Sequence, residues 1–230
     1  MRDGLPMIQG SANGGRPQPT RVDSLARAKM SGFSLIEMLI VVSLMMIAAV
    51  IVIENVQSAV QSVHLQETAT DYANLLQQAR VRAVRDDRYY TVLTTAGGGS
   101  NPPTAFVDIA GTGVYAVGDP VIMFSAGVSP MSFGSGPSVA NLASQFLPPG
   151  TAAQNSVNTT AAGPTFGPRG LPCTPLTSGG YTTCPYLTPT SYITFVQNTL
   201  SGKWEAITVS PAGRIREFSY DGVSTWSGMN

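Results

Sequence analysis

The stretch that decides the fold is FSLIEMLIVVSLMMIAAVIVI, residues Phe33 to Ile53. Its 21 residues include a single charged side chain, Glu37, close to the start. At a rise of 1.5 Å per residue, a helix of this length spans roughly 30 Å, the thickness of the hydrocarbon core of a bilayer. We therefore predict one membrane-spanning helix at residues 33–53.

The residues before this stretch, 1–32, are rich in Gly, Pro, Gln, Asn and Ser and show no apolar period. Such a segment cannot bury enough apolar surface to offset the entropy of ordering, so we expect no fold there. It carries five positive and two negative side chains, a net charge of +3. Because the more positive flank of an apolar span stays in the cytoplasm, we expect a cytoplasmic N-terminus and a C-terminal part on the opposite side of the membrane.

The small residues Ser31 and Gly32 stand before the apolar run. A conventional signal peptide has a shorter core, of about 7 to 15 residues, followed by its cleavage site. The reversed order indicates processing on the cytoplasmic side, which would leave the apolar helix on the mature protein. The rival hypothesis is a secreted protein with an ordinary signal peptide cut after Ser58, and the length of the core argues against it.

A carboxylate within the apolar run is costly. Glu37 at the centre of a membrane helix would cost about 2.5 to 3.5 kcal/mol unless it met a positive partner, and less near the interface. Two interpretations follow: Glu37 reaches headgroups or water from the first turn, or it is neutralised by a partner.

The string GFSLIEMLIVV, from Gly32, resembles the N-terminal signature of type IV pilins and type II secretion pseudopilins, single-pass proteins of the bacterial inner membrane. The resemblance implies that a prepilin peptidase cuts after Gly32 and methylates the new terminal residue, Phe33. It also implies that Glu37 neutralises the α-amino group of a neighbouring subunit during filament assembly. The implied partners are other pilins or pseudopilins, the peptidase and the inner membrane. A leader of 32 residues, 1–32, is long for this family.

The helical pattern continues beyond the apolar run. Six apolar or aromatic positions recur at spacings of 4 and 3, which places them on one face: Leu65, Ala69, Tyr72, Leu76, Ala79 and Ala83. We predict one helix from about Phe33 to about Arg85, with an amphipathic half in the segment 54–88. Four arginines mark its end, as expected for a solvated helix terminus or for contact with a phosphate or an acidic neighbour: Arg80, Arg82, Arg85 and Arg88.

Residues 89–230 have the pattern of an antiparallel β domain outside the cytoplasm, which makes the predicted fold α+β, a long N-terminal helix packed on an antiparallel sheet. Asn198 to Trp204 and Ser210 to Arg214 look like hairpin turns, so the last three strands should form a meander. Short runs rich in β-branched and aromatic residues are the predicted strands: Tyr89 to Thr95, Thr104 to Ala110, Pro120 to Ala126, Ser191 to Gln197, Trp204 to Ser210 and Gly213 to Tyr220.

A long loop rich in Gly, Pro and Ser, residues 127–189, separates the early strands from the late ones. It contains one apolar cluster, Val139 to Leu147, and a short candidate strand, Asn155 to Thr160. Cys173 and Cys184 lie in it with ten residues between them. Two cysteines do not make a zinc site, and this spacing is too wide for a redox motif. We predict a disulfide, with two separate inert thiols as the alternative.

Signs of catalysis are missing. No nucleophile elbow, zinc-protease motif, phosphate loop or dinucleotide fingerprint is present, and the single histidine, His64, falls on the predicted helix. Asp108 and Asp119 flank a Gly-rich turn, and turn formation accounts for them better than calcium does. We predict a protein that is not an enzyme and has no metal, cofactor or small-molecule substrate.

Arg214 and Arg216 are two residues apart on a predicted strand, so they share a face and could hold successive phosphates. The alternative is a charged edge strand in which one arginine pairs with Glu205, Glu217 or Asp221. From Phe33 onward the chain has 8 basic and 11 acidic residues, a net charge of −3, which weakens a broad electrostatic case for DNA.

Three later strings resemble the GspH/FimT family of minor pseudopilins and minor pilins: LLQQARVRAVRDDRYYTVL, TFGPRGLP (Thr165 to Pro172) and ITVSPAGRIREF. The resemblance implies a structural subunit at or near a filament tip. For some FimT-type members it implies DNA uptake through a GRxR motif, which Gly213, Arg214 and Arg216 match. We therefore predict a minor pilin or pseudopilin of a type II secretion pseudopilus or type IV pilus, with a DNA-binding minor pilin as the alternative.

Overall fold

The computed structural model describes residues 33–98, 101–132, 135–148, 153–155, 163–178, 181–185 and 190–229, without the side chains of 50–55, 153–155, 177–178 and 181–182. The predicted leader 1–32, with Gly32, lies outside the described residues. The chain divides into two compact units, Met1–Ile47 and Ala48–Asn230.

Helix α1 spans Leu35–Arg85, as the sequence predicts. No Gly or Pro interrupts these 51 residues. In the helical part of the apolar stretch, Ser43 is the hydroxyl side chain that could compete with the backbone, and its Oγ donates to the Leu39 and Ile40 carbonyls at 3.0 and 2.8 Å. The helix ends where Asp87 adopts a φ of 51°, and its last turn carries Arg82 and Arg85, which suit the negative end of the helix dipole.

The predicted membrane span Phe33 to Ile53 includes side chains, from residue 50 onward, that lie outside the described residues. Among the residues that are described, no helical stretch combines the length and the apolar character that a bilayer crossing requires.

The described residues of the β domain form two main sheets and a small hairpin. The first sheet has the order β3-β2-β1-β6, and the second has the order β12-β11-β10-β9-β4 with β5 added beside β9. All pairings are antiparallel except that of β5 with β9. The strands are β1 Tyr90–Thr95, β2 Thr104–Asp108, β3 Val121–Met123, β4 Val128–Met131, β5 Ala153–Asn155, β6 Thr165–Phe166, β7 Leu176–Ser178, β8 Tyr181–Thr183, β9 Ser191–Asn198, β10 Trp204–Val209, β11 Ile215–Tyr220 and β12 Trp226–Met229.

The main core lies between α1 and the two sheets. Every position of the predicted helix face is buried, from Leu65 to Ala83, and the sheets contribute side chains such as Val92, Val107 and Ile207. Tyr72 is fully buried, and its hydroxyl accepts a hydrogen bond from Thr194 at 3.3 Å. The helical period of the sequence therefore identified the packing surface correctly.

A second core covers the opposite face of the larger sheet. Here Leu142 packs with Ile193, Phe195, Phe218 and Trp226. Leu142 belongs to helix α2, Val139–Phe146. The prediction of a loop throughout 127–189 was therefore wrong for these residues. Strand β9 is buried on both faces, which explains its nearly unbroken apolar and β-branched sequence.

The predicted strand from Pro120 to Ala126 is shorter in the structure, where it is β3. After a turn at Gly127, where φ is 78°, the chain forms β4 in the other sheet, within the segment predicted as a loop. The candidate strand Asn155 to Thr160 falls outside the described residues except for Asn155, the last residue of β5. The predicted meander of the last strands is confirmed by the β9-β10-β11 order.

One carboxylate is buried on the α1 side of the larger sheet. Glu205 is 5% exposed, and its Oε2 has no hydrogen-bond partner among the described residues. The neighbouring carboxylate, Glu217, accepts a hydrogen bond from Thr70 Oγ1 at 3.0 Å. Burial, and to a lesser extent the charge of Glu217, raises the pKa of Glu205 to about 7.

This raised pKa predicts pH-dependent stability. The folded protein holds a proton on Glu205 that the unfolded chain releases near its ordinary pKa, so stability is full below that pKa and is lost as pH rises through about 7. Between pH 5 and pH 8 the free energy of unfolding should fall by about 2 kcal/mol in the unmodified protein, after allowance for solvent screening, which lowers Tm by several degrees. In Glu205→Gln this fall should be absent. Thermal melts of both proteins across this range measure it. Glu67→Gln, on the exposed face of α1, is the control, and a pH dependence unchanged in Glu205→Gln contradicts the assignment.

Candidate functional site

The described start of α1 presents an apolar surface. Phe33 is 72% exposed and Leu35 is 83% exposed, and the apolar side chains that follow as far as Ile47 are exposed as well. Glu37 lies in the first helical turn and is also exposed, without a hydrogen bond or ion pair in the described part of the chain. An apolar surface of this kind is stable when lipid or other apolar helices cover it.

Arg214 and Arg216 lie at the start of β11, and Arg216 is on the sheet face that packs against α2. Arg216 precedes Phe218 by two residues on β11, so both project from the same face of the sheet. Arg214 comes directly before the strand and is exposed, whereas Arg216 is half-buried. Both line one groove of about 370 Å³. The structure thus brings these two predicted site residues together.

The acidic residues that could have paired with the arginines are engaged elsewhere. Asp221 accepts the backbone N–H groups of Val223, Ser224 and Thr225, and hydrogen bonds from Thr225 and these amides hold its pKa well below the usual range. Glu205 and Glu217 face α1. Within the described residues, neither arginine has an ion pair, so the groove keeps two uncompensated positive charges.

The opposite wall of the groove comes from the end of α2. Gln145, Phe146 and Pro148 line it, together with Thr208 and Ser210. The Thr208 side chain is fully buried, and its hydroxyl donates to the Arg216 carbonyl at 3.3 Å. The Phe146 ring packs against Phe218 with its centroid 6.4 Å away, which holds this wall in place. Two guanidinium groups beside an apolar wall suit an anion that carries a planar or apolar substituent.

The cysteines of the long loop form a disulfide between Cys173 and Cys184, with Cα atoms 5.5 Å apart. The hairpin β7–β8 lies between them. Tyr192 on β9 anchors the segment, because its hydroxyl donates to the Cys173 carbonyl at 2.6 Å. Burial raises the pKa of Tyr192 to about 12. The disulfide ties a surface hairpin to the larger sheet, and by loop entropy such a closure contributes about 3 kcal/mol.

Asp108 and Asp119 build a turn. Asp108 accepts the N–H groups of Thr112 and Gly113 at 3.1 and 2.7 Å, and Asp119 accepts those of Ile109 and Ala116 at 3.3 and 2.8 Å. Their oxygens therefore serve the loop between β2 and β3. In the part of the chain that the structure describes, no group of three or more metal-ligating side chains occurs.

Sequence reasoning missed one residue that lines the groove, Phe146, and one contact of the neighbouring turn, made by Arg80. The spacing of Val139, Leu142 and Phe146 by 3 and 4 is a helical signal within the predicted loop. For Arg80 the sequence predicts a solvated helix end or contact with a phosphate or an acidic neighbour, yet its Nε–H donates to the Gly170 carbonyl at 2.9 Å. No local signal in the sequence predicts a contact across 90 positions.

Comparison with known proteins identifies one segment. Residues 27–53 match the model of the prokaryotic N-terminal methylation motif. This segment includes Gly32, Phe33 and Glu37, and the match supports the type IV pilin and pseudopilin superfamily. Neither a curated protein nor a solved structure matches the chain.

Proposed function

We propose, from the premise that residues 27–53 carry the prokaryotic N-terminal methylation motif of pilin-like proteins, that this protein is a minor pilin or pseudopilin. It is a structural subunit of a type II secretion pseudopilus or a type IV pilus, and prepilin peptidase processes it. The observation that carries this proposal is the motif itself, which joins a cleavable Gly32 to an apolar helix with a carboxylate at Glu37.

Cleavage by the peptidase creates a positive α-amino group that can neutralise Glu37. Cleavage after Gly32 removes the leader 1–32 and leaves the α-amino group of Phe33 at the tip of the helix. In an apolar surrounding, a lone carboxylate is costly, and a nearby amine offsets that cost only when geometry brings the two together. The Phe33 amine of one subunit and Glu37 of the next therefore set the axial register of the packed helices.

This arrangement assigns a place to each of the remaining segments. Before assembly, the segment 33–53 holds the protein in the bacterial inner membrane, with the N-terminus in the cytoplasm and the β domain, 89–230, in the periplasm. The segment 54–88 joins that domain to the apolar helix, since its buried face forms part of the main core. In the filament, the β domain presents its loops and the arginine groove to partners.

Fractionation of cells tests the proposal. In cells that contain prepilin peptidase, the protein should appear in the sheared fibre fraction at a mass lower by that of residues 1–32. In cells without the peptidase, it should stay in the membrane fraction at full length. Gly32→Leu should behave as the peptidase deletion does, with Gly10→Leu in the leader as control. Equal amounts in fibres with and without the peptidase contradict the proposal.

A second candidate function is DNA binding by a FimT-like minor pilin. The observation that favours it is that Arg214 and Arg216 line one groove without an ion pair in the described residues. Successive guanidinium groups of this kind hold phosphates independently of sequence. The apolar wall at Phe146 adds a surface on which a base or sugar could rest.

A further inference from the structure

Three separated segments of the chain meet at the turn that precedes Arg214, next to the arginine groove. They are the turn of α1 at Arg80, the loop before β7 at Gly170 and the turn between β10 and β11 at Gly213. Each belongs to one of the three strings noted in the sequence, and no local pattern predicted that they touch. We call this meeting point the Arg80 junction, defined by Arg80, Gly170 and Gly213.

The contacts of the junction are close. Arg80 Nε–H donates to the Gly170 carbonyl at 2.9 Å. A Cβ on Gly213 would lie 2.7 Å from that same carbonyl oxygen and 3.3 Å from Arg80 Cζ. Gly213 therefore rests directly on the guanidinium group and the carbonyl that it binds, and a side chain does not fit there. Both glycines have left-handed backbone, with φ of 69° at Gly170 and 76° at Gly213, which glycine adopts without strain.

The turn that rests on Arg80 also carries the first arginine of the groove. Gly213 N–H donates to the Ser210 carbonyl at 2.8 Å, and Arg214 N–H donates to Ser210 Oγ at 3.1 Å. Arg214 is the residue after Gly213, so the position of its backbone depends on the position of Gly213. Beyond it, Arg216 pairs with Thr208 in the β10–β11 ladder and is held by the sheet.

This difference between the two arginines assigns a role to Arg80. Arg216 has a strand to fix it, whereas Arg214 stands at a turn whose underside is formed by Arg80 and the Gly170 loop. We propose that Arg80 is a positioning residue for the arginine groove: by holding Gly170 and supporting Gly213, it keeps Arg214 at the spacing from Arg216 that lets both bind one anionic chain. The proposal rests on the second candidate function, phosphate binding by Arg214 and Arg216.

Charge alone gives a different expectation. If Arg80 acted only as a nearby positive charge, Arg80→Lys would preserve binding, and removal of Arg82 would weaken it as much as removal of Arg80. Arg82 is the matched control. It lies two positions after Arg80 on the same helix and is half-buried like Arg80, and its side chain has no hydrogen bond or ion pair in the described residues. A positioning role requires the planar guanidinium group, whose Nε–H and flat face a lysine lacks.

The experiment uses the full-length protein in detergent with two readouts. Binding of a short labelled DNA duplex is measured across a range of salt concentrations, and hydrogen exchange is measured at the amides of Gly170, Gly213 and Arg214. Arg80→Met and Arg80→Lys should both weaken binding about tenfold and lower the salt slope by about one, because one phosphate contact is lost. Both should speed exchange at the three amides and leave β9 and β10 protected. Arg82→Met should change neither readout beyond its small charge effect.

The outcomes separate the two ideas. Unchanged exchange in both Arg80 variants, or Arg80→Lys binding like the unmodified protein, overturns the positioning role. Exchange that rises throughout β9 and β10 also overturns it, since Arg80 would then support the whole domain. If the unmodified protein binds DNA no better than the Arg214→Ala, Arg216→Ala double variant, the DNA-binding function fails, and with it the role of Arg80 toward DNA. That result can be told apart from a failure of the positioning role, because the Arg80 variants would still show faster exchange at Gly170, Gly213 and Arg214.

Discussion

Glu37→Ala is expected to abolish incorporation of the protein into filaments and to leave its insertion in the membrane intact. Alanine removes a carboxylate that costs energy in an apolar surrounding, so insertion becomes no harder. On the proposed role of Glu37, the α-amino group of Phe33 in the next subunit loses its partner and stays buried and unpaired, at a cost of about 3 to 5 kcal/mol. Amounts in sheared fibres and in isolated membranes measure the two effects.

Two control variants sharpen this prediction. Glu67→Ala removes an exposed carboxylate from the later half of α1 and should incorporate normally. Glu37→Asp retains the charge on a shorter side chain and should incorporate at a reduced level. Wild-type amounts of Glu37→Ala in fibres contradict the proposed role of Glu37 as the register residue.

Arg214→Ala with Arg216→Ala is expected to remove most of the affinity for DNA and to lower the salt slope by about two. On the proposed DNA-binding function each arginine neutralises one phosphate, and counterion release makes the slope proportional to the number neutralised. At low salt, two lost contacts of this strength weaken binding by a factor of about 100 or more. Anisotropy titrations of the full-length protein with labelled DNA measure both quantities.

The control for the arginine pair is Arg85→Ala with Arg88→Ala. It removes the same charge from the end of α1, where both side chains are exposed and Arg85 pairs with Asp86 at 2.7 Å. If this control loses as much affinity as the groove variant, binding depends on net charge and the groove is not the site. A double groove variant that binds as tightly as the unmodified protein leads to the same conclusion.

The parts of the fold that sequence predicted well depend on local periodicity. The face of α1 was identified because a buried helix face repeats at 3.6 residues, and Leu65, Tyr72 and Leu76 are all buried as that period requires. The late strands were found because β-branched residues and Gly-containing turns bound them. The hairpin at Gly213 needs left-handed backbone, for which Gly is the expected residue.

Helix α2 was missed for a physical reason. With eight residues it is too short to be stable by propensity alone, and its surroundings are rich in Gly, Pro and Ser. It exists because Leu142 fits the second core against Phe195 and Phe218. This helix depends on tertiary packing, because the apolar sheet face that it covers exists only after the strands have assembled.

In the candidate site, too, local patterns were predictable from sequence and long-range contacts were not. Arg214 and Arg216 could be paired from sequence, because alternation along a strand places them on one face. Phe146 and Arg80 could not be added to them, since α2 reaches the groove, and Arg80 reaches the Gly213 turn, only through long-range packing. The fate of Glu217 and Asp221, one bonded to Thr70 and the other to its own turn, was likewise visible only in three dimensions.

We propose that this chain becomes a filament subunit when its leader is removed immediately before Phe33. Mass spectrometry of the N-terminal peptide, taken from the protein in sheared fibres, tests this proposal. We expect a mature chain that begins with N-methylated Phe33 and retains Glu37. A chain that begins at Ala59, or one that still carries residues 1–32 in the fibre, contradicts it.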